Sequence, residues 1–76
     1  MSDAHGPTPL ERRVLALARE ALEEPTLSLD ARWAEHGDPY PVLDLLREAF
    51  GVELPTVAHL GATVADTARR IAGLLG

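Results

Sequence analysis

Apolar residues recur at helical spacing in three separate parts of the chain. The first stripe begins with Thr8-Pro9-Leu10-Glu11, which is a capping box with proline at the first helical position. It continues through Leu10, Val14, Leu17, Ala18, Ala21 and Leu22. Because Pro25 cannot continue a helix, the pattern predicts a first helix from Thr8 to about Glu24.

The second stripe runs from Val42 to Phe50 and is followed by Gly51, the residue type that most often ends a helix in a left-handed conformation. Two prolines, Pro39 and Pro41, precede it. Each proline disfavours helical geometry in the residue before it, so we expect the second helix to begin at Pro41. Residues 36–40 are then expected to be extended or in turns.

The third stripe follows Thr63-Val64-Ala65-Asp66, a weaker capping box because aspartate is shorter than glutamate. Its predicted buried face consists of Val64, Ala68, Ile71, Ala72 and Leu75. A short helical turn is predicted at residues 56–60, ended by Gly61. Nothing in the sequence has the period of a strand, so the pattern predicts an all-α domain of three main helices and one short helix.

Between the first two stripes, residues 26–35 contain isolated apolar positions without a sustained period. This pattern predicts a long loop that is held against the core. Residues 1–7 lack periodicity and are predicted to be a flexible tail, which leaves residues 8–76 as a single domain.

Composition excludes several classes of function. The chain has 76 residues, no cysteine, and twelve acidic against seven basic residues, which gives a net charge of −5. Nucleic-acid binding needs a positively charged surface, so we do not expect nucleic acid as a partner. The sequence has neither a leader peptide pattern nor an apolar stretch near the roughly 20 residues that span a bilayer. It therefore predicts a soluble cytoplasmic protein without a membrane partner.

The order of these elements resembles that of acyl and peptidyl carrier proteins. The resemblance covers nearly the whole chain and is carried by Phe50-Gly51-Val52-Glu53-Leu54-Pro55 after the second helix and by Thr63-Val64-Ala65-Asp66 at the last one. It implies a carrier-protein-like bundle of three main helices plus one short helix. It also places Trp33 at the aromatic position of the family loop that covers the core, so we expect Trp33 in the core rather than on the surface as a binding anchor. In that family, a serine at the start of the second helix carries a phosphopantetheine arm.

This chain departs from the family at the attachment serine. Counting back from Phe50 without a gap places His36 at the serine, whereas matching the preceding loop places Pro39 there. Neither register supplies a hydroxyl, since no serine or threonine occurs between Ser28 and Thr56. We therefore expect no phosphopantetheine cofactor, and a degenerate carrier site formed by Glu35, His36, Gly37, Asp38 and Pro39.

Other chemistry at this segment is less favoured. Glu35, His36 and Asp38 together with His59 have oxygen and nitrogen atoms that bind divalent metals, but they lack the ligand spacing of known zinc sites. Tyr40 is the only hydroxyl nearby, and modification there is not expected. Without a serine or cysteine nucleophile, and in a chain too small for a deep cleft, we expect neither a metal site nor an enzyme.

The resemblance implies that partners contact the second helix, through a surface formed by Tyr40, Asp44, Arg47 and Glu48. The leading hypothesis is a carrier-like protein without an arm, which binds biosynthetic enzymes that recognise a carrier fold in a fatty-acid, polyketide or nonribosomal-peptide type pathway. The alternative is a small helical adaptor or accessory subunit unrelated to acyl transfer. A third hypothesis is a group carrier that is loaded at an unusual residue.

Overall fold

The structure is a computed structural model that describes residues 7–76, so residues 1–6 of the predicted tail lie outside the described range. It contains three α-helices, which we call α1 (Pro9–Leu22), α2 (Tyr40–Phe50) and α3 (Val64–Leu75). Two short 3-10 helices lie between them, at Trp33–Glu35 and Val57–Leu60. Residues 7–76 form no strand, and a single antiparallel bridge joins Arg32 and Thr63. The all-α prediction is confirmed, but only the second of these 3-10 helices was predicted, because residues 26–35 were expected to be a loop without helix.

Helix α1 begins as predicted. The Thr8 hydroxyl accepts the Glu11 amide at 3.1 Å, and the Glu11 carboxylate accepts the Thr8 amide at 2.8 Å. The helix ends two residues earlier than predicted, because Glu23 adopts a left-handed conformation with φ of 56°. The Glu24 amide then donates to the Arg19 carbonyl at 2.9 Å, which turns the chain before Pro25.

Helix α2 begins at Tyr40, one residue before the predicted start. The Leu43 amide donates to the Pro39 carbonyl at 3.0 Å, so the first helical hydrogen bond reaches back past Pro41 and includes Tyr40 in the helix. Residues 36–39 are not helical, as predicted. Gly51 ends α2 in the left-handed conformation, with φ of 63° and its amide bound to the Arg47 carbonyl.

Helix α3 has the predicted capping box, in which the Thr63 hydroxyl and the Asp66 carboxylate each accept the other residue's amide at 3.2 Å. The predicted buried face is wrong in the last turn, because Ala72 and Leu75 are exposed. Thr67 is buried instead. It lies one turn from Val64 and Ile71, so it faces the same side as those buried residues.

The core lies where α1 packs against both α2 and α3. Twelve buried apolar residues form it: Val14, Ala18, Leu27, Trp33, Val42, Leu43, Leu46, Leu54, Leu60, Val64, Ala68 and Ile71. The membership of Leu27 and Trp33 means that the long first loop covers this core rather than standing away from it. Within residues 7–76, no helix is long and apolar enough to cross a bilayer.

Trp33 is only 4% exposed, which confirms its predicted place in the core. Its indole Nε1 donates to the Thr67 hydroxyl at 2.9 Å, and that hydroxyl donates to the Leu60 carbonyl. Buried polar groups need such partners, since an unpaired one costs about 1–3 kcal/mol. The loop backbone is also tied to α3, through Val64 N–H to the Ala31 carbonyl at 3.1 Å.

Candidate functional site

The five residues of the predicted degenerate carrier site form one continuous turn in front of α2. Glu35 ends the first 3-10 helix and is exposed, and the half-buried His36 follows it. Gly37 has φ of 80°, a conformation that favours glycine. Asp38 is exposed, and Pro39 is the residue immediately before α2. The turn therefore contains both positions, His36 and Pro39, at which the two registers of the carrier resemblance would place a serine.

His36 is held by a residue that the sequence analysis did not identify. Its Nδ1 lies 2.8 Å from the Glu24 Oε2, and because the carboxylate accepts, the imidazole nitrogen is the donor. The two side chains are 23% and 41% exposed, so this contact is partly shielded from water. In the register that places His36 at the serine, the side chain at that position is thus bound to Glu24, which lies two residues after the end of α1.

Backbone donors at the start of α2 are few. A helix N-terminus attracts anions because its first amides have no acceptor within the helix and the helix dipole is positive there. Pro39 and Pro41 have no N–H, and the Tyr40 amide donates to the Asp38 carboxylate at 3.0 Å. A phosphate at this end would lie close to that carboxylate, which disfavours binding of a second anion.

The histidines singled out for metal binding have separate partners. His59 lies on the second 3-10 helix, where its Nδ1 is 2.9 Å from the Thr56 hydroxyl, whereas His36 pairs with Glu24. Among residues 7–76, no group of three or more His, Asp or Glu side chains is arranged to hold a metal ion. The four residues considered for that role do not form a joint ligand set in this fold.

The predicted partner-binding residues all lie on the exposed side of α2. Tyr40 is 57% exposed at its first turn, and Asp44, Arg47 and Glu48 are exposed further along. The Arg47 guanidinium donates to the Asp44 carboxylate at 2.7 Å. Ion pairs this exposed contribute about 0–1 kcal/mol to folding, so these charges remain available for contacts with another molecule.

The opposite side of α2 fixes the orientation of this surface. Val42, Leu43 and Leu46 are each at most 1% exposed and pack into the core. Because side chains three and four positions apart share a helix face, burial of these three leaves Asp44, Arg47 and Glu48 toward solvent. The apolar pattern of α2 therefore determines which of its polar residues another protein can contact.

Two residues important for this site were missed by sequence reasoning. Thr67 had a detectable signal, because it lies four residues after Thr63 and four before Ile71 on the buried face of α3. Glu24 had none, since it is separated from His36 by 12 positions and is one of two adjacent acidic residues that follow α1. Only the path of the loop brings these two side chains together.

Comparisons with known proteins add no family assignment. The sequence matches no protein-family model, and no curated protein or solved structure matches it. The resemblance to carrier proteins therefore depends on the residues of this chain and on the order of its helices.

Proposed function

We propose that this chain is a carrier-like binding protein that lacks the phosphopantetheine arm. It acts by protein contact with biosynthetic enzymes that recognise a carrier fold, in or beside a fatty-acid, polyketide or nonribosomal-peptide type pathway. Its role is binding rather than catalysis. The surface that makes the contact consists of Tyr40, Asp44, Arg47 and Glu48.

The observation that supports this proposal is the start of α2. The order of three helices with a short helical turn before the last is the order expected of a carrier bundle. At the helix start where a carrier holds its arm, this chain has no serine hydroxyl. The Tyr40 amide there already donates a hydrogen bond to the Asp38 carboxylate. The helix that carriers present to enzymes keeps an exposed polar face, while its attachment chemistry is missing.

The absence of an arm is tested by intact mass spectrometry after incubation with coenzyme A and a promiscuous phosphopantetheinyl transferase, with an authentic carrier protein as the positive control. We expect no change in mass. A gain equal to phosphopantetheine would contradict the proposal and favour a group carrier loaded at an unusual residue.

Restoring a serine should not restore modification. His36→Ser and Pro39→Ser each supply the hydroxyl, but Pro41 and the Asp38 carboxylate still shape the start of α2. We expect both variants to be modified poorly in the same assay. Efficient modification of either one would mean that the missing hydroxyl is the only defect of the site.

The partner is tested by affinity purification of the tagged chain from its native cells. Recovery of a synthase or ligase that acts on carrier-bound groups supports the proposal. Arg47→Glu and Tyr40→Ala should then weaken binding of that enzyme while leaving the melting temperature nearly unchanged. Arg70→Glu, a charge reversal at an exposed position of α3, is the matched control. If both α2 variants bind like the parent, the unrelated-adaptor hypothesis is preferred.

A further inference from the structure

The turn before Tyr40 is held at several points. The His36 amide donates to the Trp33 carbonyl at 3.0 Å, and the His36 side chain donates to Glu24. At the other end of the turn, the Asp38 carboxylate accepts the Tyr40 amide. These contacts tie the turn to a buried residue of the loop, to Glu24 just after α1, and to the first residue of α2.

The contact between Glu24 and His36 is the one that reaches outside the turn. It joins residues 12 positions apart and closes the loop that contains Leu27 and Trp33, both of which lie in the core. A hydrogen bond to a carboxylate is stronger than one between neutral groups, and partial burial of His36 limits competition by water. Glu24 thereby restrains a segment whose own residues are mostly exposed.

Restraint of this turn affects how firmly the exposed Tyr40 side chain is held in position. Tyr40 lies between Pro39 and Pro41, which fix the backbone on both sides of it, and the residue is more than half exposed. A side chain that is already held in its binding position loses less entropy when it enters a partner's pocket. Tyrosine also offers a large contact area with only two side-chain torsions to fix.

We propose that Glu24 is a positioning residue for partner binding, which acts through His36 to hold the turn that places Tyr40. Glu24 itself does not touch the partner. This inference rests on the proposed function, because it takes Tyr40 as the side chain that enters the partner. Its structural part, the restraint of the turn by Glu24, is open to test in the free protein.

The first experiment measures amide order parameters by NMR relaxation in the isolated protein. Glu24→Ala and His36→Leu should lower the values at Gly37 and Tyr40 from those of a rigid backbone, about 0.85, toward those of a flexible one, below about 0.6. His36→Asn keeps a donor near the Nδ1 position and should retain the parent values. Ile71, buried in α3, reports whether the fold as a whole has loosened.

Glu20→Ala is the matched control, because it removes an exposed carboxylate from the last turn of α1, four residues before Glu24. It should leave the order parameters of the turn unchanged. Parent-like values at Gly37 and Tyr40 in both Glu24→Ala and His36→Leu would overturn the inference, whether or not an enzyme partner is found. Loosening that extends to Ile71 would also overturn it, because Glu24 would then serve the fold rather than the turn.

The second experiment measures binding of the synthase or ligase recovered with the parent chain. Glu24→Ala should weaken its affinity about tenfold, equivalent to about 1.4 kcal/mol, and His36→Asn should bind like the parent. In a Tyr40→Ala background, Glu24→Ala should cause no further loss, because the ring that it positions is gone. A loss equal in both backgrounds would overturn the positioning role. Failure to recover any such enzyme would instead count against the proposed function.

Discussion

The start of α2 differs from the starts of α1 and α3. Both α1 and α3 begin with a threonine whose hydroxyl accepts the amide three residues later, and with an acidic side chain that accepts the threonine's own amide. Helix α2 follows Pro39, which provides no side-chain cap, and its first amide is bound by Asp38 from outside the helix. The two kinds of helix start are therefore held by different interactions.

A capping box is a local device, because all its atoms lie within four consecutive residues. The start of α2 depends on the chain around it: on the buried face of the helix, on the loop that carries Trp33, and on the contact between Glu24 and His36. The helix start proposed to contact a partner is therefore the one that local sequence defines least. If local capping holds α1 and α3 whereas packing holds α2, substitutions at the two kinds of helix start should differ in their cost to stability.

Leu46→Ala should have the largest effect. Leu46 is fully buried, and if packing rather than capping holds α2, its truncation should lower the free energy of unfolding by about 2–5 kcal/mol. A small domain with few kcal/mol of stability could unfold as a result. Leu74→Ala, at a leucine that is 49% exposed, is the control and should change stability by no more than about 0.5 kcal/mol. Equal losses in urea denaturation would show that burial does not distinguish the two sites.

Thr67→Val should come next. The substitution preserves shape but removes the hydroxyl, which leaves the Trp33 indole without an acceptor and the Leu60 carbonyl without that donor. We expect a loss of about 1–3 kcal/mol, measured by denaturation followed through the fluorescence of the single tryptophan. Unchanged stability together with an unchanged emission spectrum would mean that the hydrogen bond does not hold the loop against α3.

The capping residues test the comparison directly. Thr8→Ala and Thr63→Ala should each cost about 0.5–2 kcal/mol, because each removes a hydroxyl that satisfies a helix amide. Asp38→Ala should cost no more than about 0.5 kcal/mol, since its contact with Tyr40 is exposed and α2 is held by its buried face. Melting curves of the three variants measure the effect. A larger loss for Asp38→Ala than for either threonine variant would reverse the comparison.

The smallest effect concerns the acidic member of the α3 capping box. The Arg69 guanidinium holds the pKa of Asp66 below its ordinary value of 3.8, and the amides of Thr63 and Ala62 act in the same direction against partial desolvation. A lowered pKa in the folded state means that the carboxylate stabilises the fold above pH 3.8 and loses this contribution as the pH falls further.

Asp66→Asn removes the contribution of the Asp66 carboxylate to the pH dependence of stability. The melting temperature of the parent should therefore exceed that of the variant near neutral pH, and the difference should shrink as the pH falls below about 4. Glu53→Gln, at an exposed position between α2 and α3, is the control for loss of a carboxylate. A difference between parent and Asp66→Asn that stays constant down to about pH 2 would show that Asp66 does not act through its charge.

Local rules predicted much of the fold. The capping boxes at Thr8 and Thr63 and the left-handed Gly51 follow from residue type and spacing, whereas the burial of Trp33 was implied by the resemblance to carrier proteins. The differences from the prediction lie at helix ends and in the first loop, where the 3-10 helix at Trp33–Glu35 was not predicted. Tyr40 joined α2 despite its proline neighbour, and the last turn of α3 was assigned to the core although Leu75 is 53% exposed. An apolar period shows which face is buried but not how far along the helix the core extends.

The pattern of residues alone specified the three main helices, their approximate limits, and the absence of a serine or threonine between Ser28 and Thr56. These depend on the period of apolar residues, on capping, and on which atoms are present. Only the tertiary structure decided that Glu24 binds His36 and that Thr67 binds Trp33, pairs separated by 12 and 34 positions. Such contacts form where the packed core brings distant parts of the chain together, and no local preference specifies them.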